Sequence, residues 1–192
     1  MSLESKSSDI ESYTEALRAI LKSQYHATLA MLRETIERCP DEIWFSKEHV
    51  NAFWQIAYHA LFFAHVYLQP NEAAFRAWEH HQAEVQYEDA IAGPPDPKST
   101  LPLIPKPYTK AELLAYWSIC DQMVDSAVDT LDLHSPDSGF HWYRVPKLEH
   151  QIVNIRHIEH HMAQLADRLR SSHGIGIQWV GARRGTKSTA TG

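Results

Sequence analysis

Cysteine is nearly missing from this chain. Cys39 and Cys120 are the only two in 192 residues, far apart and without a C-x-x-C pairing. That excludes a disulfide framework and a thiolate metal site, and it fits a reducing, cytoplasmic setting. Positive charge is in deficit: 18 Lys and Arg stand against 24 Asp and Glu, a formal charge of −6. Such a balance gives no general electrostatic basis for gripping nucleic acid or an anionic membrane, so neither is expected as a partner. No uninterrupted apolar stretch reaches ~18 residues, and the polar opening MSLESKSSDIES has no apolar h-region, so neither a membrane span nor secretion is expected. Strand-rich blocks and internal repeats are lacking too. Hydrophobic residues at 44% and charged residues at 22% exclude wholesale disorder and fibrous classes. What the chain has in excess is histidine, 13 residues against 7 glycines.

The remaining pattern is helical. From Ser8 to Cys39, the residues Tyr13, Leu17, Ile20, Leu21, Leu29, Leu32 and Ile36 recur at spacings of three and four, and Pro40 stops the run. A second helix is expected from Ser46, a candidate N-cap, to Gln69 before Pro70. It is apolar almost all round and therefore central. Residues 71–90 contain good helix formers and no Gly or Pro, which predicts an additional acidic, peripheral helix. Six of the ten prolines follow, at 94, 95, 97, 102, 105 and 107, and require an extended surface loop. Thr109 and Glu112 form a capping box that opens a third long helix to Leu131. A fourth starts near Pro146 and runs to Ser172, with Gly174 as its stop. The stretch GIGIQWVG is expected to be extended, with Trp179 packed on the helices. The resulting fold class is all-α: a four-helix bundle with a long connection between helices 2 and 3. Residues 1–8 read as a flexible N-terminus, 9–181 as one domain, and 182–192 as a disordered tail.

The histidines sort by helix face. At 100° per residue, His150, Asn154, His157, His161 and Gln164 form one polar stripe on helix 4. It flanks the apolar face of Ile155, Ile158, Met162, Leu165 and Leu169. His157 and His161 stand one turn apart, so both imidazoles can reach one ion at about 2.0–2.1 Å. On helix 2, His59 occupies the core seam of Ala52, Ile56, Phe63 and Val66. Burying three imidazoles separately costs desolvation three times, whereas a shared cation neutralises that cost. Three neutral histidines with open positions form the pattern of an ion that activates water or binds a substrate atom. They suit zinc, nickel, copper or iron alike. His150, Asn154 and Gln164 are candidate supports around the ligands. Asp121, Asp125 and Tyr58 are candidates for proton transfer. His80 and His81 read as solvated, His65 as a core-edge residue, and His26, His49, His134 and His173 as surface or capping residues. His160 reads as outward-facing.

The last-helix segment NIRHIEHHMAQL (154–165), with the histidine of WQIAYHALFFAH in helix 2, resembles the DinB/YfiT-like superfamily of metal-binding four-helix bundles. The likeness spans most of the chain. It implies that His59, His157 and His161 are the metal ligands, with zinc or nickel as the divalent ion. Met162-Ala163 before Gln164 departs from the family's Arg-Gly and leaves the ligand spacing intact. Family members include thiol-dependent transferases and isomerases. The resemblance therefore implies a metal-dependent enzyme in which the ion activates a small-molecule substrate, a low-molecular-weight thiol, or water. The alternative is a non-catalytic metal-binding or stress-related bundle. A third reading has the histidines only filling the seam. The aromatic faces of helices 2 and 3 suggest a homodimer.

Overall fold

A computed structural model of the chain describes residues 3–83, 85, 86 and 106–183, with side chains from residue 8 onward. It is all-α: helices and a single 3-10 turn, with no strand among the described residues. Helix α1 (Leu3–Arg38) spans about 54 Å at 1.5 Å per residue and buries Leu21, Tyr25, Leu29, Leu32 and Ile36. Pro40 ends it and opens the short α2 (Asp41–Trp44). The Trp44 indole N–H donates to the Tyr108 carbonyl at 2.8 Å. The next long helix, α3 (Phe53–Tyr67), has its N-cap at Ala52, six residues later than the Ser46 cap expected. The Ser46 hydroxyl accepts from the Glu48 N–H in a local turn, a competing use of the same side chain. The α3 N-terminus is closed instead by Gln55, whose Oε1 accepts from the Ala52 N–H at 2.6 Å.

The expected helix over 71–90 is absent from its described part, and residues 87–90 lie outside the described residues. Asn71 caps a 3-10 turn, Glu72–Ala74, and the chain then runs as an irregular strap across α3. Packing overrides helix propensity here. Trp78 stacks on Tyr116 at 4.5 Å and 3°, the Tyr58 hydroxyl and His81 Nδ1 lie 2.5 Å apart, and the Tyr108 hydroxyl accepts from the Gln82 N–H. Most of the expected proline-rich loop lies outside the described residues. Its return end is pinned where Gln82 bonds both backbone groups of Lys106, at 2.8 and 3.0 Å.

Helix α4 (Lys110–Thr130) carries the expected capping box, Thr109 Oγ1 accepting from the Glu112 N–H and Glu112 Oε2 from the Thr109 N–H. It buries Leu113, Trp117, Val124 and Val128. Helix α5 (Lys147–His173) ends at Gly174, whose φ of 66° turns the chain left-handed. Its N–H and that of Ile175 bond the last carbonyls.

The four long helices close a ring around one core: α1 and α3 each pack on both α4 and α5. Paired contacts give their directions. Along α5, Arg168 meets Asn51, His157 meets His59, and Gln151 meets Tyr67, so α3 and α5 are antiparallel. Arg18 bonds the carbonyls of Val128 and Leu131 while Trp117 bonds that of Leu29, making α1 and α4 antiparallel. Tyr25 meets Gln151 and Thr28 meets Glu159, making α1 and α5 parallel. The sense is thus up, down, down, up, and the excursion between α3 and α4 returns the chain to its starting end.

After α5, residues 174–183 lie back along α1. Arg38 bonds the Gly176 carbonyl, and Ile175, Ile177 and Val180 pack on the core. Trp179 does not pack as expected and is 74% exposed. Ile175, Ile177 and Val180 of the same segment supply the apolar contacts instead. Residues 184–192 of the expected tail lie outside the described residues. Among the described residues, no helix is long and apolar enough to cross a membrane.

Candidate metal centre

The antiparallel pairing of α3 and α5 brings His59 face to face with His157 and His161. His59 Nε2 lies 3.0 Å from His157 Nε2, and His161 Nε2 lies 3.1 Å from the same atom. The ligand atoms of the three residues all fall within 4.8 Å of one another. His161 is buried and the other two are partly so. At separations of 3.0 and 3.1 Å, one ion could reach both nitrogens of each pair at about 2.0–2.1 Å.

The remaining ring nitrogens set the tautomers of the outer two histidines. A backbone carbonyl only accepts, so His59 Nδ1, 2.6 Å from the Gln86 carbonyl, carries the proton and donates it. His161 Nδ1 likewise donates to Gln164 Oε1 at 2.8 Å. Both rings therefore turn an Nε2 lone pair toward His157. His157 Nε2 stands between those two lone pairs and can give one proton to only one of them. Left to themselves, the three rings keep one lone-pair contact; a cation at the centre satisfies all three. Burial, and then the fields of His161, His59 and His160, push the pKa of His157 down to about 3, so it stays neutral at ordinary pH. The donor set is thus three neutral imidazoles, and it fits a borderline divalent ion. Phe63 walls one side, 4.9 Å from the His59 ring and 5.4 Å from that of His157.

Of the three candidate supports, Gln164 touches the cluster directly. Asn154 is fully buried and directs its Nδ2 to the Tyr25 hydroxyl at 2.9 Å and the Ala64 carbonyl at 3.5 Å. His150 is fully buried in an aromatic box of Tyr67, Phe140 and Tyr143, at 4.7, 5.0 and 5.1 Å. Tyr67 stands between it and His157. The carboxylates of Asp121 and Asp125 are not at the cluster. They clasp His26 of α1 at 2.7 and 3.2 Å. Tyr58 turns to His81 instead, and that histidine stacks on Phe62 rather than standing solvated. His65, at the core edge, meets the Tyr116 hydroxyl at 3.1 Å.

Gln86 is the contributor that sequence reasoning missed. It acts through its backbone carbonyl, which has no side-chain signature and is reached only because the strap is not a helix. Burial raises the thiol of Cys39 to about 12 and that of Cys120 beyond it, so neither cysteine is a nucleophile at neutral pH. No family model, curated protein or solved structure matches the chain.

Proposed function

We propose that the chain is a DinB/YfiT-like four-helix bundle and a metal-dependent enzyme, holding a divalent ion, zinc or nickel, on His59, His157 and His161. The observation that carries this reading is the tautomer arrangement. Gln86 and Gln164 fix two Nε2 lone pairs on a third nitrogen that can satisfy only one of them, at a spacing that suits a shared ion.

When bound, the ion lowers the pKa of a small thiol or of water and makes a nucleophile at neutral pH. The chain's own residues do the rest. Three neutral ligands leave the full charge on the ion, and three protein ligands leave positions open for substrate. The ring of Phe63 shields one side of the cluster from water, which strengthens the electrostatics there. Because both cysteines are buried and their thiols stay protonated, a reacting thiol comes from a cosubstrate. Transfer of a low-molecular-weight thiol to an electrophile is the version favoured by the family resemblance. A homodimer belongs to the same proposal, but the aromatic faces of α3 and α4 do not supply its interface, because Tyr58, Tyr116 and Trp117 are buried within the chain.

The test is metal content by elemental mass spectrometry on tag-free protein, beside a His157→Ala/His161→Ala variant whose fold is checked by circular dichroism. About one equivalent in the wild type, lost in the folded variant, supports the site. No metal in either after reconstitution with zinc or nickel overturns it. Turnover of thiol and electrophile by the loaded protein then separates an enzyme from a bundle that holds metal for stability.

A further inference from the structure

His150, Asn154 and His157 occupy positions i, i+4 and i+7 of α5, one face turned toward α3. Each carries a buried polar atom without a protein hydrogen-bond partner: both nitrogens of His150, Oδ1 of Asn154 and Nδ1 of His157. Four such atoms in line along one helix are a costly arrangement, because each buried unpaired donor or acceptor loses its hydration.

The orientation of the Asn154 amide follows from its neighbours. The Tyr67 carbonyl accepts from Gln151 Nε2, which turns Gln151 Oε1 to the Tyr25 hydroxyl at 2.8 Å. Tyr25 gives its single proton to that oxygen and can then only accept from Asn154 Nδ2, whose other contact is the Ala64 carbonyl. Nδ2 is the end of the amide that bonds Tyr25 and the Ala64 carbonyl, so Oδ1 is the end of Asn154 left without a protein partner. Three residues further on, His157 Nδ1 carries the proton whenever Nε2 serves the metal centre. An unpaired acceptor and an unpaired donor therefore stand within one turn of each other and make no direct bond. Across the seam, α3 presents the Ala64 carbonyl to Asn154, and the small side chains of Ala57, Ala60 and Ala64 are fully buried.

We infer that an ordered internal water molecule sits between Asn154 Oδ1 and His157 Nδ1, and that Asn154 is thereby a positioning residue for His157. Water suits this place because it both donates and accepts. With an ion on Nε2 it takes the Nδ1 proton of His157 and gives one of its own to Asn154; without an ion, when Nε2 carries the proton, it donates to both Nδ1 and Asn154 Oδ1, with the His150 nitrogens further along the same seam. The bridge holds the His157 ring in its orientation, a role that Gln86 and Gln164 serve directly for the other two histidines. The three imidazoles are thus held by three different devices: a backbone carbonyl, a side-chain amide and a water.

The water itself is independent of any metal, whereas the positioning role rests on the metal-centre reading. A high-resolution crystal structure of the metal-free wild type tests the first. Density within about 3.2 Å of both atoms is expected; a direct contact, or a gap without density, overturns the inference. Zinc affinity by competition titration tests the second. Asn154→Leu is expected to weaken zinc binding 10–100-fold, roughly the effect of losing such a support. Val124→Ala opens a gap in the core side of α4, which packs on α1 and α3 and carries none of the three histidines. It is expected to lower stability while changing zinc affinity less than about twofold. Equal weakening by both variants, or none by Asn154→Leu, overturns the positioning role. If Asn154→Leu does not fold, the density decides. If the wild type takes up no zinc or nickel, the proposed function falls, and the density alone decides the water.

Discussion

Replacing His150 with leucine should make the protein less sensitive to acid. The imidazole is fully buried among Tyr67, Phe140 and Tyr143, and the nearest charge is the Lys147 ammonium, itself held by the Pro70 and Ser138 carbonyls. Burial, then Lys147, push its pKa from 6.5 down to about 4. In the unfolded chain the ring protonates near its ordinary value; in the folded protein it does not. The depressed value means stability is full above about pH 6.5 and falls as the pH drops toward the folded value. At about pH 5 the gap is roughly 1.5 pH units at about 1.4 kcal/mol each, so His150 costs ~2 kcal/mol there and almost nothing at about pH 8. His150→Leu removes this linkage. Any packing change it brings is common to both pH values and cancels in the difference. Urea unfolding at the two pH values, with chelator present so that metal release does not contribute, should show the variant losing about 2 kcal/mol less than wild type between them. Equal losses would refute the reasoning, because they would mean that the folded protein protonates His150 at no cost.

His26 should behave in the opposite sense. Its hydrogen bond to Asp121, against the cost of burial, raises its pKa, so its stabilisation is present below the ordinary value and is lost as the pH rises through the folded one. His26→Gln should cost on the order of 1 kcal/mol at about pH 6 and less at about pH 9, read by the same unfolding curves. Gly139 has a φ of +84°, and a Cβ there would lie 2.5 Å from the Pro70 carbonyl oxygen. Gly139→Ala should therefore destabilise by about 3 kcal/mol, seen as a fall in Tm. It should also loosen the loop that holds Lys147.

Local rules carried well where a helix end depends on adjacent residues. The Thr109 and Glu112 box and the Gly174 stop are properties of a few neighbouring side chains and of one glycine, and they lie where the sequence puts them. The Ser46 cap failed because a serine hydroxyl bonds whichever nearby N–H the chain presents, and here that is a turn. The helix expected at 71–90 failed for a different reason. Its propensity is worth tenths of a kcal/mol per residue, less than the burial of Trp78 and Val85 that the strap achieves.

The sequence by itself determined the all-α class and the pairing of His157 with His161, since both are consequences of a 3.6-residue period acting over one helix. It also marked His59 as a histidine out of place in an apolar seam. Tertiary structure decided the rest. Only the antiparallel crossing of α3 and α5 sets the three Nε2 atoms 3.0 and 3.1 Å apart in sequence. Only the strap brings the Gln86 carbonyl to His59, and only the Tyr25 relay leaves Asn154 Oδ1 without a protein partner. These are contacts between groups far apart along the chain, made through backbone atoms and amide orientations that every sequence possesses. Their positions depend on how whole helices pack, and no local pattern encodes that.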